Sequence, residues 1–288
     1  VEDSFSYPWE IWMLWELEER INCLGLAAEW TGAPRFREAA VQDLEALAAW
    51  ESYNVQREPH LSVGHAARIM SLALGGWDWL PSGLKETLEQ ACRRLVDQHA
   101  AWLQGRLELK SVEQVLAATP PVTHNIPLIA SLGMCMAARS CGHPLRDALE
   151  QHCLALVLAV LDMRGQELTE AVSYDGYILD FVADWLASAP EESRRAVLNH
   201  PQTFRVLGQA ALLSAPGCAW RFAPFNDVEP REMPFHADAQ AKFLRFQADS
   251  LSAWYMRRFP LEILRAEGLA AMDALASQDT GAGYAPSA

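Results

Sequence analysis

Three side chains of the sequence combine into a recognisable proton chemistry: an imidazole, a carboxamide and a phenol, each directly before or at the start of a strongly apolar run. The first segment is Thr123-His124-Asn125-Ile126-Pro127, followed by the apolar stretch Leu128–Ala138. The second is Glu170-Ala171-Val172-Ser173-Tyr174-Asp175-Gly176-Tyr177, followed by Ile178–Leu186. Taking the proton beside a uronic acid carboxylate builds negative charge next to negative charge. A carboxamide such as Asn125 answers this by donating to the carboxylate and stabilising the enolate-like state. A tyrosine then serves as general acid or base at the ring carbon and leaving oxygen, with His124 assisting. The chemistry needs no metal or cofactor.

Each residue also has an ordinary structural reading. Thr123 or Asn125 can cap the following helix, with Pro127 in its first turn; capping leaves His124 unexplained. Tyr174 and Tyr177, three apart, share a helix face and can be packing residues with wet hydroxyls. A third segment, Pro59-His60-Leu61-Ser62-Val63-Gly64-His65-Ala66-Ala67-Arg68, puts His65 and Arg68 three apart as candidate substrate-binding groups. The alternative for His65 is a histidine solvated or hydrogen-bonded in place. Trp77-Asp78-Trp79 offers an indole, Trp79, as a stacking platform for a sugar ring.

The elements that must position these groups are helices. Apolar residues recur at helical spacing from Trp9 to Ala28 and stop at Thr31-Gly32-Ala33-Pro34. Further helices are expected over Phe36–Tyr53 and Ser62–Trp79, then, after the break Pro81-Ser82-Gly83, one ending near Leu103, and over Asn125–Arg139 and Pro144–Met163. Others follow over Val172–Ala187, Glu191–Leu198, Pro201–Leu213, Ala237–Arg258 and Leu261–Ala276. Residues 105–123 read as mixed, with Thr119-Pro120-Pro121 as a break, and 215–234 reads as a loop. No segment alternates with period two for the length of a strand. Helices joined by short connections pack as antiparallel neighbours in a bundle, a solenoid or a closed ring of hairpins, and no repeat of fixed length favours the solenoid.

Composition excludes several classes. With 288 residues, 51% hydrophobic and 21% charged, the chain reads as globular. A net charge of −14 argues against a nucleic-acid partner, which needs clustered Lys and Arg. It leaves open an anionic sugar held in a local basic cleft. No apolar run reaches the roughly 20 residues that span a bilayer, so no membrane partner is expected. Six cysteines without a CxxC pair read as buried thiols, with a disulfide as the alternative. No phosphate loop, nucleophile elbow or His-Glu-x-x-His helix is present.

At these residues the chain resembles the heparinase II/III-like polysaccharide lyases. The matching stretches are Trp77-Asp78-Trp79-Leu80-Pro81, Thr123-His124-Asn125 through Ala137, Glu170 through Tyr177, and Pro224-Phe225-Asn226-Asp227. The resemblance implies an all-α fold, an incomplete (α/α) toroid of five or six antiparallel hairpins. That domain would cover residues 1–276, with 277–288 as a linker toward a C-terminal β-sandwich domain. It implies an acidic polysaccharide or oligosaccharide as partner, cleaved by β-elimination, and a periplasmic or secreted protein. By position, Asn125 neutralises the substrate carboxylate, His124 and Tyr174 are the candidate proton-transfer groups, and Glu170 supports the cleft. Tyr177 competes with Tyr174, and here the order is His then Asn where many family members read Asn then His. In the family the β-sandwich domain supplies further groups to the cleft, so the chain is expected to hold only part of the active site. Two other readings are a glycoside hydrolase on a similar helical ring, using carboxylates such as Glu170, Asp175, Asp180 and Asp184, and a non-catalytic carbohydrate-binding scaffold.

Overall fold

A computed structural model describes residues 9–53, 59–166, 172–212, 214–215, 218–222 and 233–246. The described chain is mostly helical, as the periodicity requires: twelve helices and one two-stranded hairpin appear among these residues. The chain divides into two compact units, residues 1–156 and 157–288, with the boundary inside the eighth helix; the sequence reading expected a single domain over 1–276.

The first unit contains α1 (Trp9–Thr31), α2 (Pro34–Ala48), α3 (Leu61–Gly76), α4 (Ser82–Gln98), α5 (Ala100–Arg106), α6 (Val112–Leu116), α7 (Asn125–Ser140) and the first half of α8 (Arg146–Gln166). Two of these helices are surrounded. In α7 every residue from Pro127 to Ala138 is buried, and in α3 every residue from Leu61 to Ser71. A helix apolar on all sides has its place inside a protein, and α3 packs against α1, α4 and, most extensively, α7. By contrast α4 is amphipathic, burying Leu84, Leu88, Ala91, Cys92, Leu95 and Val96 along one stripe.

The α3–α7 contact is a backbone-to-backbone crossing. A Cβ on Gly64 would lie 2.6 Å from the Ile129 carbonyl oxygen, and one on Gly133 would lie 2.6 Å from the Gly64 Cα. Only glycine permits such an approach. The crossing also fixes the level of the two helix starts. His60 precedes Gly64 by four residues and His124 precedes Ile129 by five, about 6 and 7.5 Å of helix rise respectively. The charge of His124 acts on His60.

The second unit contains the rest of α8, α9 (Val172–Ala187), α10 (Glu191–Leu198), α11 (Thr203–Leu212), strands β1 (Ser214–Ala215) and β2 (Cys218–Phe222), and α12 (Met233–Leu244). The apolar helix α9 packs against α12 and α11. The hairpin is antiparallel, with Ser214 opposite Phe222 and Ala215 opposite Cys218. The sequence reading placed a loop here, because β1 is too short to show an alternation.

Other boundaries moved for local reasons. Residues 105–123, read as mixed, contain α6, which starts with a capping box: Ser111 Oγ accepts from the Gln114 amide, and the Gln114 side chain accepts from the Ser111 amide. The fourth helix breaks at His99, whose Nδ1 lies 2.8 Å from the Leu95 carbonyl oxygen. The second helix ends at Ala48, and Tyr53 folds back so that its hydroxyl donates to the Leu47 carbonyl. Of the cysteines, Cys92, Cys135, Cys141 and Cys153 are buried thiols, while Cys23 is exposed. The expected helix over Leu261–Ala276 and the tail 277–288 lie outside the described residues.

Candidate functional site

The start of α7 brings its polar groups together in a way that capping does not explain. The N-cap position belongs to His124, in extended conformation (φ −89°, ψ 169°), and its side chain makes no capping hydrogen bond. Asn125 is therefore the first helical residue, not the cap. The residue is 7% exposed, and its side chain makes no hydrogen bond to a described residue. Pro127 has no N–H, and the Leu128 N–H already returns to the His124 carbonyl. The amides of Asn125 and Ile126 remain as first-turn donors, at the positive end of the helix dipole. His124 is exposed.

His60 stands at the same end of α3, as its N-cap and also without a side-chain cap bond. The sequence reading quoted this residue inside a motif without assigning it a role. Burial, and secondly the charge of His124, hold His60 below the ordinary imidazole range. Two residues on, the Ser62 hydroxyl is sealed from solvent and hydrogen-bonds to no described residue.

The neighbouring candidates on α3 have a different setting. His65 and Arg68 are both fully buried. His65 Nδ1 lies 2.7 Å from Glu18 Oε2, and its Nε2 accepts the Trp15 indole N–H at 2.7 Å. That pattern corresponds to a neutral imidazole protonated on Nδ1. Arg68 pairs with the other oxygen of Glu18. Neither residue presents a surface to a substrate, so the expectation of substrate contact is corrected: they join α3 to α1. Glu18, 2% exposed, was missed by the sequence reading. Its signal was present, because a carboxylate stands on the apolar stripe between the buried Leu14 and Ile21.

Trp79 also needs correcting. It lies just past the C-terminal end of α3, while His60 lies at the other end, and sixteen residues of helix separate the two by roughly 24 Å. Its ring stacks on Trp77 (centroids 4.9 Å apart, planes at 16°), with the Arg37 guanidinium over it at 5.6 Å. Trp77 in turn lies so close to α1 that a Cβ on Gly25 would be 2.1 Å from its ring. The indole pair is packing between α3, α1 and α2, at the opposite end of α3 from the histidines.

In the second unit the two competing tyrosines separate. Tyr177 is 3% exposed and packs edge-on to Phe181, with centroids 6.0 Å apart. Tyr174, in the first turn of α9, is half-buried. The acidic residues of α9 are neutralised in place. Asp175 pairs with Arg164, while Asp180 and Asp184 both receive the Lys242 ammonium at 2.7 Å. All five are buried. Carboxylates held by cations in this way are poor general acids, which weighs against the hydrolase alternative. Glu170, expected to support the cleft, and the Pro224–Asp227 stretch lie outside the described residues.

Among the described residues no three His, Cys, Asp or Glu side chains gather as a metal site, and no helix is long and apolar enough to cross a membrane. Compared with family models, curated proteins and solved structures, the chain finds no match.

Proposed function

We propose that this chain is the helical domain of a polysaccharide lyase that cleaves a uronic-acid-containing polysaccharide by β-elimination. The observation that carries the reading is Asn125: a nearly buried carboxamide, first in its helix, with no hydrogen bond to a described residue. A carboxylate ligand can accept from the amide and from the first-turn N–H groups beside it. The same donors serve the substrate carboxylate better as it takes on enolate character, which is where stabilisation accelerates the reaction.

In this reading Asn125 neutralises the carboxylate and His124 assists proton transfer, both at the start of α7; Tyr174, on α9 of the second unit, is the phenol that the sequence offers for the proton at the ring carbon. Tyr174 is preferred to Tyr177, which is packed against Phe181. An (α/α) toroid is the arrangement the resemblance implies, and surrounded helices such as α3 and α7 suit its inner layer. The test is direct: the protein is mixed with glycosaminoglycans, alginate and pectate, and ultraviolet absorbance of an unsaturated uronic product is followed. Product with one of these polymers, lost in Tyr174→Phe, is the expected result. Saturated reducing ends without absorbance would replace the lyase reading with hydrolysis.

A further inference from the structure

The contact between α7 and the first half of α8 holds two thiols that the proposed chemistry does not use. Residues 141–145 connect these helices, and a connection so short makes them antiparallel neighbours. Two sulfur contacts cross between them in opposite senses. Cys135 of α7 donates to Glu150 Oε2 of α8 at 3.4 Å, and Cys153 of α8 donates to the Ser131 carbonyl of α7, also at 3.4 Å. Ser131 and Cys135 are one turn apart on α7, as Glu150 and Cys153 are on α8, so the two sulfurs take facing positions. A hydrogen bond between the two thiols closes the square. Both cysteines are fully buried, and Arg139 pairs with Glu150 beside them. Cys92 and Cys141 are near enough for charge on one to act on the other, yet Cys92 bonds to Ser71 and Cys141 to the Ala138 carbonyl.

We propose that Cys135 and Cys153 are a disulfide-forming pair, which an oxidant of the small-disulfide class converts into a covalent link between α7 and α8. One cysteine, as thiolate, attacks the small disulfide and expels one small thiolate, leaving a mixed disulfide. The other cysteine, as thiolate, attacks the sulfur of the first and expels the second small thiolate. The pair gives up two protons and two electrons, and the small disulfide takes both and leaves as two thiols. Packing restrains the reaction. Burial first, then the Cys135 thiol, hold the Cys153 thiol well above its ordinary range, so it stays protonated while the interface is closed. Exchange therefore proceeds while the helices are parted, and their return brings the sulfurs together. The pairing is independent of the lyase reading.

The test uses the native chain with oxidised glutathione, in urea below the unfolding midpoint. Thiols are counted in full denaturant, and the linkage is mapped by mass spectrometry after trypsin. Cys135 falls in peptide 111–139 and Cys153 in 147–164, whereas Cys141 falls in 140–146 and Cys92 in 86–93. Two of the six thiols should disappear, at a rate that rises with urea, and 111–139 should be joined to 147–164. The bond closes a loop of roughly 20 residues, so the oxidised chain should melt about 5–10 °C higher, a gain that dithiothreitol abolishes. Cys153→Ala, folded by circular dichroism, should show neither the linked peptides nor the gain. Six thiols remaining after exchange overturn the proposal. So do lasting glutathione adducts on either cysteine, or a link between 86–93 and 140–146 in place of the expected one.

Discussion

His60 and His65 lie five residues apart on one helix, and their surroundings are opposite. His65 is closed in on both ring nitrogens, by Glu18 and the Trp15 indole, with Arg68 on the same carboxylate. His60 stands at the helix start with the charge of His124 acting on it, and two residues on the Ser62 hydroxyl is sealed from solvent. The first cluster is internally satisfied and joins two helices. Beside the second, the Ser62 hydroxyl makes no hydrogen bond to a described residue. Charge and burial alone do not separate a functional cluster from a structural one, since both are polar groups on the same buried helix.

The comparison breaks most visibly at Glu18. Glu18→Ala removes the carboxylate that faces His65 and Arg68, leaving their polar groups in an interior built around it. A buried pair broken on one side typically costs about 3–5 kcal/mol. Urea unfolding followed by tryptophan fluorescence should show a loss of that order. Unchanged stability combined with lost polymer binding would move the Glu18 cluster to the functional side.

Asn125→Ala is the opposite case. The side chain makes no hydrogen bond to a described residue, so its removal should shift unfolding by less than about 1 kcal/mol. Carboxylate stabilisation should fall, lowering kcat/KM on the responsive polymer by about 10²–10³-fold, the usual consequence of removing a donor aimed at developing charge. Asn125→Asp should be no better, because it sets a second negative charge beside the substrate's. A large loss of stability in Asn125→Ala, with turnover intact, would mean that the residue belongs to the packing of α7.

How much of this could be read in advance depends on the length over which each signal repeats. The helices were legible because α3, α7 and α9 carry their apolar pattern for four turns. The hairpin at 214–222 was not, since a two-residue strand has no period. The His124-Asn125 pair was legible as chemistry, but whether Asn125 was cap or first helical residue turns on one backbone position, which only the coordinates give. His65, Arg68 and Trp79 were misread for a shared reason: three-residue spacing shows which residues share a helix face, not whether that face is covered. Glu18 supplies the missing half of the His65 site from 47 residues away, and Trp77 supplies that of Trp79. His60 was given no role because His124, whose charge acts on it, is distant in sequence.

The smallest expected effect lies in the pH dependence of stability, and it sharpens the contrast between the histidines. His99 and His152 are buried, and burial lowers both below the usual imidazole range. The Leu95 carbonyl partly opposes the shift at His99 and the Leu109 carbonyl that at His152, while the Arg106 charge adds to it at His152. A base whose folded pKa is depressed binds fewer protons when folded than when unfolded. Its cost is absent above the unfolded value near 6.5 and grows as pH falls from there toward the folded value. The slope is at most about 1.4 kcal/mol per pH unit for each such group. Stability should therefore decline from about pH 6.5 downward, and His152→Gln should flatten the decline, as measured by urea midpoints between pH 5 and 8.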